Sequence, residues 1–523
     1  MNDKIYDIAI IGAGPGGYHA AIRAAQYDAI VALIEKDKVG GTCLNRGCIP
    51  TKALYSAAKL IEDINEKSNE FGVDINGEIK PNFEKAVNRK NIVVEELVEG
   101  VKALVKQRKV DLFTGHGSII GGSLDTGFDV KIEGEYIKQI LAKRVIIATG
   151  SSPALIPAFN IDHERILTSD DILSPNFKEV PEKLLIIGGG VIGCEFANIF
   201  SRFGSKIIIL EYLPTILATE EKLIVRELKK KFKKMGIEIY ENQNVLKVEN
   251  TGSGVLATTC DARVPRDQID SAEKIKYDAN LCLVSIGRAR STKVLGLENT
   301  KIRVERGAIK VNPKTLETAE KGIYAIGDVT GGLMLAHVAS YEGDIAVYNA
   351  LYSIGGFDTV PHEADYSVVP ASIFTSPEIG SVGLRENALK ERGTKIKTGR
   401  FGYAALGKAK CMGEEEGFLM IITDEKTGTI LGASCIGVEA PELIAEIALA
   451  MKYGLRVQEL GETIHSHPTI SEMVLEAAED VHGLAIHRAR SRIKLEIEKY
   501  EDIYQKFKES KRILELLYKR TLT

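Results

Sequence analysis

The chain has 523 residues, of which 44% are hydrophobic and 27% charged, so it is long and apolar enough to form several domains with buried cores. Its formal net charge of −4 and its isoelectric point near 6.2 give no overall attraction to nucleic acids or to anionic membranes. No apolar run approaches the length of a membrane span and seven scattered cysteines do not form a secreted disulfide scaffold, so we expect a soluble cytoplasmic protein, or one of an organelle matrix if a transit peptide was removed.

The N-terminal stretch "YDIAIIGAGPGGYHAAIRAA" predicts a strand, a glycine turn and a helix. The turn has the spacing Gly12-x-Gly14-x-x-Gly17, and Glu35 ends the next predicted strand 23 residues after Gly12. In such a unit the first glycine makes a tight turn, the second lets the backbone approach a pyrophosphate, and the third lets helix and strand pack closely. The helix N-terminus attracts phosphates, and the acid binds ribose hydroxyls. The stretch therefore predicts a dinucleotide site.

The next segment, "GGTCLNRGCIPTK" at residues 40–52, places two cysteines five residues apart where a helix is expected to begin. In a regular helix such residues have Cα atoms roughly 8–9 Å apart, whereas a disulfide requires about 4.4–6.8 Å. A bond between Cys43 and Cys48 therefore needs a distorted backbone, which Gly47 is best able to provide. Strained disulfides are typically redox-active rather than structural. From this segment alone, two unbonded buried thiols are an equally good interpretation.

A second glycine motif with the same spacing occurs in "KLLIIGGGVIGCEFANIFSRFGSKIIILEY". It contains Gly188-x-Gly190-x-x-Gly193, and Glu211 again lies 23 residues after the first glycine. One such motif is weak, but two in a strand–turn–helix–strand context strongly predict two nucleotide sites. Because a carboxylate at position 211 would repel a 2′-phosphate, the second site favours NAD over NADP.

Three more buried strands are predicted at 144–151, 280–288 and 322–329. The glycines or acid near their ends are Gly150, Gly287 and Asp328. Two nucleotide sites and a candidate redox disulfide on one chain suggest that electrons pass between cofactors.

The C-terminal part has a different pattern. Residues 353–483 predict an antiparallel sheet and a helix that ends at Gly454, while residues 250–277 predict a hairpin excursion from the second nucleotide unit. The tail, 484–523, predicts one long basic helix with an apolar seam. We favour packing of this helix on the protein itself, within the homodimer that the resemblance described below implies, over docking to an acidic partner, because the aromatic residues of the seam favour burial.

Five segments together resemble a known family: "GGTCLNRGCIPTK", "GGGVIGCE", "GIYAIGDV", "LMLAHVASYEG" and "IHSHPTISE". In order and spacing they resemble the flavin-dependent pyridine nucleotide-disulfide oxidoreductases over roughly residues 5–483, and most closely the members that oxidise dihydrolipoamide. The resemblance implies an α/β fold with two Rossmann-like dinucleotide-binding domains, followed by a C-terminal α+β dimerisation domain and the long C-terminal helix. The implied divisions are 1–152 (first part of the FAD-binding domain), 153–283 (NAD-binding domain), 284–352 (central segment completing the FAD site), 353–483 (dimerisation domain) and 484–523 (helical extension).

The same resemblance implies that FAD binds at the first glycine motif and NAD at the second. Asp328 would contact the ribityl chain of the flavin, and Ala336 and His337 would lie beside its ring. Gly150 and Gly287 are included among the expected cofactor-binding residues. No metal site is expected, and the cysteines outside the motif are interpreted as bystanders: Cys194, Cys260, Cys282, Cys411 and Cys435.

For the redox centre, the resemblance implies a disulfide in which Cys48 faces the flavin and Cys43 exchanges with the substrate thiol. Lys52 and Glu195 would pair near the flavin nitrogen that receives hydride, because a cation stabilises the anionic reduced flavin and a buried lysine needs a partner. Without the resemblance, a solvated lysine and an ordinary helix-start glutamate are the simpler interpretation.

The segment "HSHPTISE" supplies acid–base groups. By resemblance, His467 takes up thiol protons, which suits a histidine at neutral pH, and Glu472 orients its ring. The His467–Pro468 peptide bond is expected to be cis, and His465 is interpreted as structural.

The implied activity is oxidation of protein-bound dihydrolipoamide to lipoamide, with electrons passing through Cys43–Cys48 and FAD to NAD. The implied assembly is a homodimer that serves lipoyl-carrying domains of 2-oxo acid dehydrogenase or glycine cleavage complexes, with no nucleic-acid or membrane partner. The alternatives are a glutathione- or mercuric-reductase-like enzyme, and a non-catalytic FAD-binding docking protein.

Overall fold

The computed structural model describes residues 4–357 and 360–488. These residues build three large sheets, of which two have a parallel core and the third, in the C-terminal part, is antiparallel; the remaining sheets have two or three strands. Most of the predicted tail helix, from residue 489 onward, lies outside the described residues.

The first unit alternates strands and helices, as the first glycine motif predicts. Its elements are β1 (Ile5–Ile11), α1 (Pro15–Gln26), β2 (Val31–Glu35), α2 (Gly41–Arg46), α3 (Cys48–Lys67), α4 (Phe83–Gln107), β3 (Asp111–Thr114), β4 (His116–Ser123), β5 (Gly127–Glu133), β6 (Ile137–Ile147) and β7 (Ser151–Pro153). The sheet order is β3-β2-β1-β6-β5-β4, in which β3, β2, β1 and β6 run parallel. The apolar run of β1 is buried on both faces. On one face, Ile8 and Ile10 share a core with helix α1, and on the other, Ile11 shares a core with residues of strands β4 and β5.

The second unit repeats this architecture. Its elements are β8 (Ile166–Thr168), α5 (Ser169–Ile172), β9 (Lys183–Ile187), α6 (Val191–Arg202), β10 (Lys206–Leu210), α7 (Lys222–Lys234), β11 (Glu238–Tyr240), β12 (Gln243–Asn250), β13 (Val255–Asp261), β14 (Ile275–Ala279), β15 (Leu281–Val284) and β16 (Arg288–Arg290). Its parallel sheet has the order β11-β10-β9-β15-β8. Strands β12, β13 and β14 form a separate antiparallel sheet, which contains the predicted excursion at 250–277.

The chain then returns to the first unit through β17 (Val304–Glu305), β18 (Ala308–Ile309), β19 (Ile323–Ala325) and α8 (Ala336–Tyr352). Strand β19 pairs in parallel with β6 and so joins the first sheet. Helix α8 packs against α1 at two glycines, since a Cβ on Gly343 would lie only 3.0 Å from the carbonyl oxygen of Gly16. The first unit is therefore built from two separate stretches of the chain.

The C-terminal unit is antiparallel, as predicted. Its elements are β20 (Ala371–Ile373), β21 (Ile379–Gly383), α9 (Glu386–Glu391), β22 (Ile396–Gly402), α10 (Gly407–Cys411), β23 (Phe418–Asp424), β24 (Ile430–Ile436), α11 (Ala440–Lys452), α12 (Val457–Gly461) and α13 (Glu472–Asp480). The strand order is β20-β21-β24-β23-β22. Helix α11 ends just before Gly454, whose φ of +65° stops the helix. The predicted fold class is confirmed for the described residues.

Helices α3 and α4 connect the units, because one hydrophobic core contains Leu54 and Phe83 from these helices, Phe200 from α6 and Met420 from β23. Lys90 of α4 lies at this junction and is 1% exposed. Its Nζ donates hydrogen bonds to the carbonyl oxygens of Leu173 (2.7 Å) and Ser174 (3.2 Å). Burial lowers the pKa of Lys90 to about 8. No helix among residues 4–357 and 360–488 is both long and apolar enough to cross a membrane.

This burial generates a prediction about pH and stability. An unfolded chain keeps Lys90 protonated to about pH 10.5, whereas the native pKa is about 8, so between these values the unfolded state binds more protons. The contribution of Lys90 to the free energy of unfolding therefore rises with pH, by up to about 3 kcal/mol. We therefore expect the thermal midpoint of the native protein to rise relative to that of Lys90→Met between pH 8 and pH 10.

Lys106→Met, on an exposed position of the same helix, is the matched control and should show a constant difference. A Lys90→Met difference that is equal at both pH values would contradict the burial effect.

Candidate active site

The two cysteines of residues 40–52 lie on two different helices rather than at the start of one. Cys43 is in α2 and Cys48 is the first residue of α3, with Gly47 between them at φ −147° and ψ −114°. A Cβ at Gly47 would lie 2.9 Å from the carbonyl oxygen of Thr42, so the tight connection needs glycine. The side chains of Cys43 and Cys48 lie within hydrogen-bond distance of each other. This proximity fits a redox-active pair.

The two thiols hold their protons very differently. The hydrogen bond from Cys43, assisted by the charge of Lys52, lowers the pKa of Cys48 to about 7. The same hydrogen bond, together with burial, raises the pKa of Cys43 above its ordinary range. In the reduced pair, Cys43 therefore holds a proton more tightly than Cys48 does, so Cys43 needs a base before it can act as a nucleophile and a proton donor when it is the leaving group.

Lys52 and Glu195 form the ion pair that the resemblance implied. The Nζ atom of Lys52 donates to Oε1 (2.9 Å) and Oε2 (3.0 Å) of Glu195, which is 4% exposed. Lys52 lies one turn after Cys48 on α3, and Glu195 lies two residues after Gly193 on α6. The pair therefore links the cysteine helix to the helix of the second glycine motif.

The effect of Lys52 on the thiolate is testable. Because its positive charge stabilises the thiolate, Lys52→Met should raise the pKa of Cys48 by about one unit or more. We expect this shift in the pH dependence of iodoacetamide alkylation of the reduced protein, with Cys48 assigned by peptide mapping.

Lys38→Met, at an exposed position before α2, is the control and should leave the profile unchanged. An unaltered Cys48 profile in Lys52→Met would contradict the electrostatic role of the ion pair.

The first glycine loop has the geometry of a dinucleotide cradle. Gly12 has φ +103°, and a Cβ there would lie 2.4 Å from the carbonyl oxygen of Ala148. A Cβ on Gly17 would lie 1.8 Å from the carbonyl oxygen of Gly12, whereas one on Gly14 would have no atom within 4 Å. Gly12 and Gly17 are thus required for packing, and Gly14 leaves room for a phosphate to approach the backbone.

The second loop repeats this geometry almost atom for atom. A Cβ on Gly188 (φ +103°) would lie 2.5 Å from the carbonyl oxygen of Ser285, and one on Gly193 would lie 2.0 Å from that of Gly188. The position above Gly190 is again open. Both loops therefore fit the dinucleotides that the sequence predicts.

The two acids have a role that the sequence did not reveal. Glu35 accepts hydrogen bonds from the backbone N–H groups of Ala13 (2.7 Å) and Asp37 (2.9 Å). Glu211 does the same with Gly189 (2.6 Å) and Leu213 (2.7 Å). Each carboxylate thus stabilises its own glycine loop through a hydrogen bond. Each carboxylate oxygen can accept a second hydrogen bond, which a ribose hydroxyl could donate.

Three other expected cofactor-binding residues, Gly150, Gly287 and Asp328, lie near the connection between the units. Gly150 (φ +70°) and Gly287 (φ +122°) flank β7 and β16, which pair with each other. Asp328 accepts a hydrogen bond from Ser151, and the Nε of Arg288 donates to the Ser151 hydroxyl at 2.7 Å. Sequence reasoning missed Ser151 and Arg288, although both adjoin one of these glycines.

The start of α8 carries the remaining pair of expected flavin neighbours. Ala336 is its first residue, and the Nε2 of His337 lies 3.0 Å from the carbonyl oxygen of Pro370. His337 therefore connects the first unit to the C-terminal unit.

The predicted acid–base pair is present in the C-terminal unit. The Nδ1 of His467 lies 2.9 Å from Oε1 of Glu472, and the His467–Pro468 peptide bond is cis, as expected. Within the described part of the chain, Glu472 is the one hydrogen-bond partner of the His467 ring, whose side chain is 78% exposed. His465 is different, since its side chain is 5% exposed and both ring nitrogens have partners, which fits a structural role.

Comparison with known proteins identifies the family. Residues 6–343 match the pyridine nucleotide-disulphide oxidoreductase family, and residues 369–478 match its dimerisation domain. The chain belongs to the pyridine nucleotide-disulphide oxidoreductases. Members of this family use FAD and NAD(H), and the dimerisation domain of this oxidoreductase supports a homodimer.

Relatives of this oxidoreductase cover nearly its whole length. A dihydrolipoyl dehydrogenase of Bacillus subtilis is 43% identical over 92% of this chain and 99% of the relative, and one of Chlamydia trachomatis is 41% identical over 91% and 97%. Among solved structures, LpdA from Mycobacterium tuberculosis has a TM-score of 0.81 at 28% identity, covering 90% of this chain and 98% of that one. The HOCl-induced flavoprotein disulfide reductase RclA from Escherichia coli has a TM-score of 0.78 at 29% identity, covering 91% and 99%.

Two substitutions in the second glycine loop of this oxidoreductase should separate NADH binding from stability. Gly190→Ala should keep the native thermal midpoint, because its Cβ meets no protein atom, but should weaken NADH binding about tenfold or more by blocking the approach of the pyrophosphate. Gly193→Ala should lower the midpoint as well, since its Cβ overlaps the carbonyl oxygen of Gly188. Calorimetric titration with NADH and thermal unfolding measure the two effects.

Gly100→Ala is the control, because its Cβ also meets no atom but lies on α4. NADH affinity that is unchanged in Gly190→Ala would contradict the assignment of NAD to this loop.

Proposed function

We propose that this protein oxidises protein-bound dihydrolipoamide to lipoamide, with NAD as the electron acceptor, through a disulfide between Cys43 and Cys48. The observation that carries the proposal is the close pair of thiols, of which Cys48 is the more acidic, next to the ion pair of Lys52 and Glu195. The substrate is supported by the relatives named dihydrolipoyl dehydrogenase, which are 41–43% identical to this chain.

The first step is thiol–disulfide exchange. A histidine takes the proton of one thiol of dihydrolipoamide, and the resulting thiolate attacks the sulfur of Cys43. The Cys43–Cys48 bond breaks, so a mixed disulfide forms on Cys43 and Cys48 is released as a thiolate. Its pKa near 7 makes Cys48 a good leaving group, because exchange is faster when the departing thiol is more acidic. The charge of Lys52 stabilises the released thiolate.

The second step closes the lipoamide ring. The histidine gives the first proton to Cys43 as Cys43 departs, and it accepts the proton of the second substrate thiol, whose sulfur attacks the substrate sulfur of the mixed disulfide. Of the two substrate protons, one is then on Cys43, whose raised pKa favours the thiol, and one is on the histidine. The substrate dithiol has become a disulfide and the enzyme disulfide a dithiol, so two electrons have been transferred.

FAD, when bound at the first glycine loop, supplies the two-electron chemistry that regenerates the disulfide and reduces NAD at the second loop. The residues that would hold it are the loop of Gly12, Gly14 and Gly17, together with Glu35 and Asp328. The chain itself positions the thiolate, keeps a cation beside it and provides the base.

We infer that His467 of one subunit serves the cysteine pair of the other subunit in a homodimer. His467 and Glu472 lie within residues 369–478, the dimerisation domain, and the His467 side chain is largely exposed on the single chain. The substrate partners are the lipoyl-carrying domains of 2-oxo acid dehydrogenase or glycine cleavage complexes.

The activity is tested by a simple assay. The purified holoenzyme should reduce NAD with dihydrolipoamide, measured as nicotinamide absorbance, and Cys48→Ser should abolish this reaction because no disulfide can form. Oxidised glutathione with NADPH should give no comparable rate. A protein that reduces glutathione with NADPH but does not oxidise dihydrolipoamide would contradict the proposed substrate.

The shared site is tested by mixing two inactive variants. Cys43→Ser and His467→Ala are each inactive alone, but a mixed dimer contains one site with both native residues. Random reassociation should restore about one quarter of the native activity, since half of the dimers are mixed and each has one working site. Mass spectrometry of the intact dimers verifies mixing, and no recovery in a verified mixture would exclude the shared site.

A further inference from the structure

A short segment of the C-terminal unit lies between the two helices that carry the ion pair. Residues 374–378 connect β20 to β21 and contact α6 on one side, where the backbone N–H of Ser376 donates to the side-chain oxygen of Asn198 at 3.1 Å. On the other side, Tyr55 of α3 donates its hydroxyl to Oε1 of Glu378 at 3.1 Å. The segment is therefore held by both helices.

Within this segment, Phe374 contacts both members of the ion pair. Its backbone N–H donates to Oε1 of Glu195 at 3.0 Å. Its ring lies under the ammonium group of Lys52, which is 4.5 Å from the ring centroid. The ring also packs edge-on against Tyr55, at 6.0 Å between centroids, which fixes its orientation.

The two contacts stabilise different members of the ion pair: the ring contacts Lys52 and the backbone N–H contacts Glu195. Lys52 has a side chain that is 31% exposed, so solvent competes for its ammonium group, and an aromatic face that attracts the cation keeps it near the carboxylate. Glu195 has a side chain that is only 6% exposed, so its oxygens need donors, and the N–H of Phe374 supplies one. Both the position of the cation and that of the carboxylate therefore depend on Phe374.

The thiolate responds to both charges. Lys52 lowers the pKa of Cys48, whereas Glu195 raises it, so the net effect depends on where the two groups are held. A residue that fixes their geometry controls the thiolate without touching it.

We propose that Phe374 is a positioning residue for Lys52, through which the dimerisation domain acts on the thiolate of the redox centre. The importance of this role for turnover rests on the proposed function, but the effect on the thiolate does not. Phe374 acts through Lys52 and Glu195, and it provides a cation-binding face and a carboxylate donor at one position.

The test compares three variants of the holoenzyme. Phe374→Leu keeps the backbone donor and the apolar bulk but removes the aromatic face, and Phe374→Trp restores such a face. Phe203→Leu is the control, because Phe203 is another half-buried aromatic residue, on the C-cap of α6, and packs against Phe83 at 5.0 Å. Thermal midpoints of all three report general damage to packing.

The readout is the titration of the Cys48 thiolate. Each protein is reduced with a phosphine, and its ultraviolet thiolate absorbance is followed against pH. The signal of the same protein with Cys48→Ser is subtracted. We expect Phe374→Leu to raise the pKa of Cys48 by about 0.5 unit or more, whereas Phe374→Trp and Phe203→Leu titrate as the native protein does.

A native titration in Phe374→Leu would overturn the proposal, whatever its thermal midpoint. An equal shift in Phe203→Leu would also overturn it, because the effect would then be loss of packing. The titration requires no turnover, so its outcome is independent of whether dihydrolipoamide is the substrate. If the assay with dihydrolipoamide fails while the titration shifts as expected, the proposed function is wrong and the positioning role is retained.

Discussion

The ion pair between Lys52 and Glu195 is the constraint on which the redox centre depends. Glu195 is almost completely buried, and a buried carboxylate without a partner would strongly destabilise the fold, so α3 and α6 are held together at this point. Because Cys48 begins α3 and Gly193 lies near the start of α6, the same contact fixes the thiolate relative to the second glycine loop. This interaction thus positions the helix that begins at Cys48, and it adds to the hydrophobic core that joins the two nucleotide-binding units.

The two glycine loops show how one backbone arrangement can serve two sites. In both, the first and third glycines pack against backbone carbonyl groups, the second is open, and an acid from the next strand binds the loop N–H groups. The units differ in the element that lies beside the loop. At the first loop, Gly41 begins α2 so close to Gly14 that a Cβ would lie 2.7 Å from the Gly14 Cα. The first site is therefore the one directly beside the cysteines, which fits the order of electron transfer that we propose.

Local patterns predicted much of this protein. The glycine spacings, the antiparallel strands of the C-terminal unit and the break at Gly47 depend on neighbouring residues, and each was visible in a short segment. The contacts of Phe374, Lys90 and Arg288 were not, because they join residues that lie far apart in the sequence and no local pattern marks them. The pairing of Glu195 with Lys52 came from the resemblance, since a glutamate near a helix start is ordinarily solvated. The tail helix lies, from residue 489 onward, outside the described residues.

The central claim is that Cys43 and Cys48 alternate between a disulfide and a dithiol. Peptide mapping after alkylation of the holoenzyme, before and after addition of one equivalent of dihydrolipoamide under anaerobic conditions, tests it most directly. The account predicts that the oxidised enzyme yields one cross-linked peptide containing both cysteines, and that the reduced enzyme yields both as alkylated thiols. Two alkylated cysteines in the oxidised enzyme, or a cross-link that dihydrolipoamide leaves intact, would contradict the account.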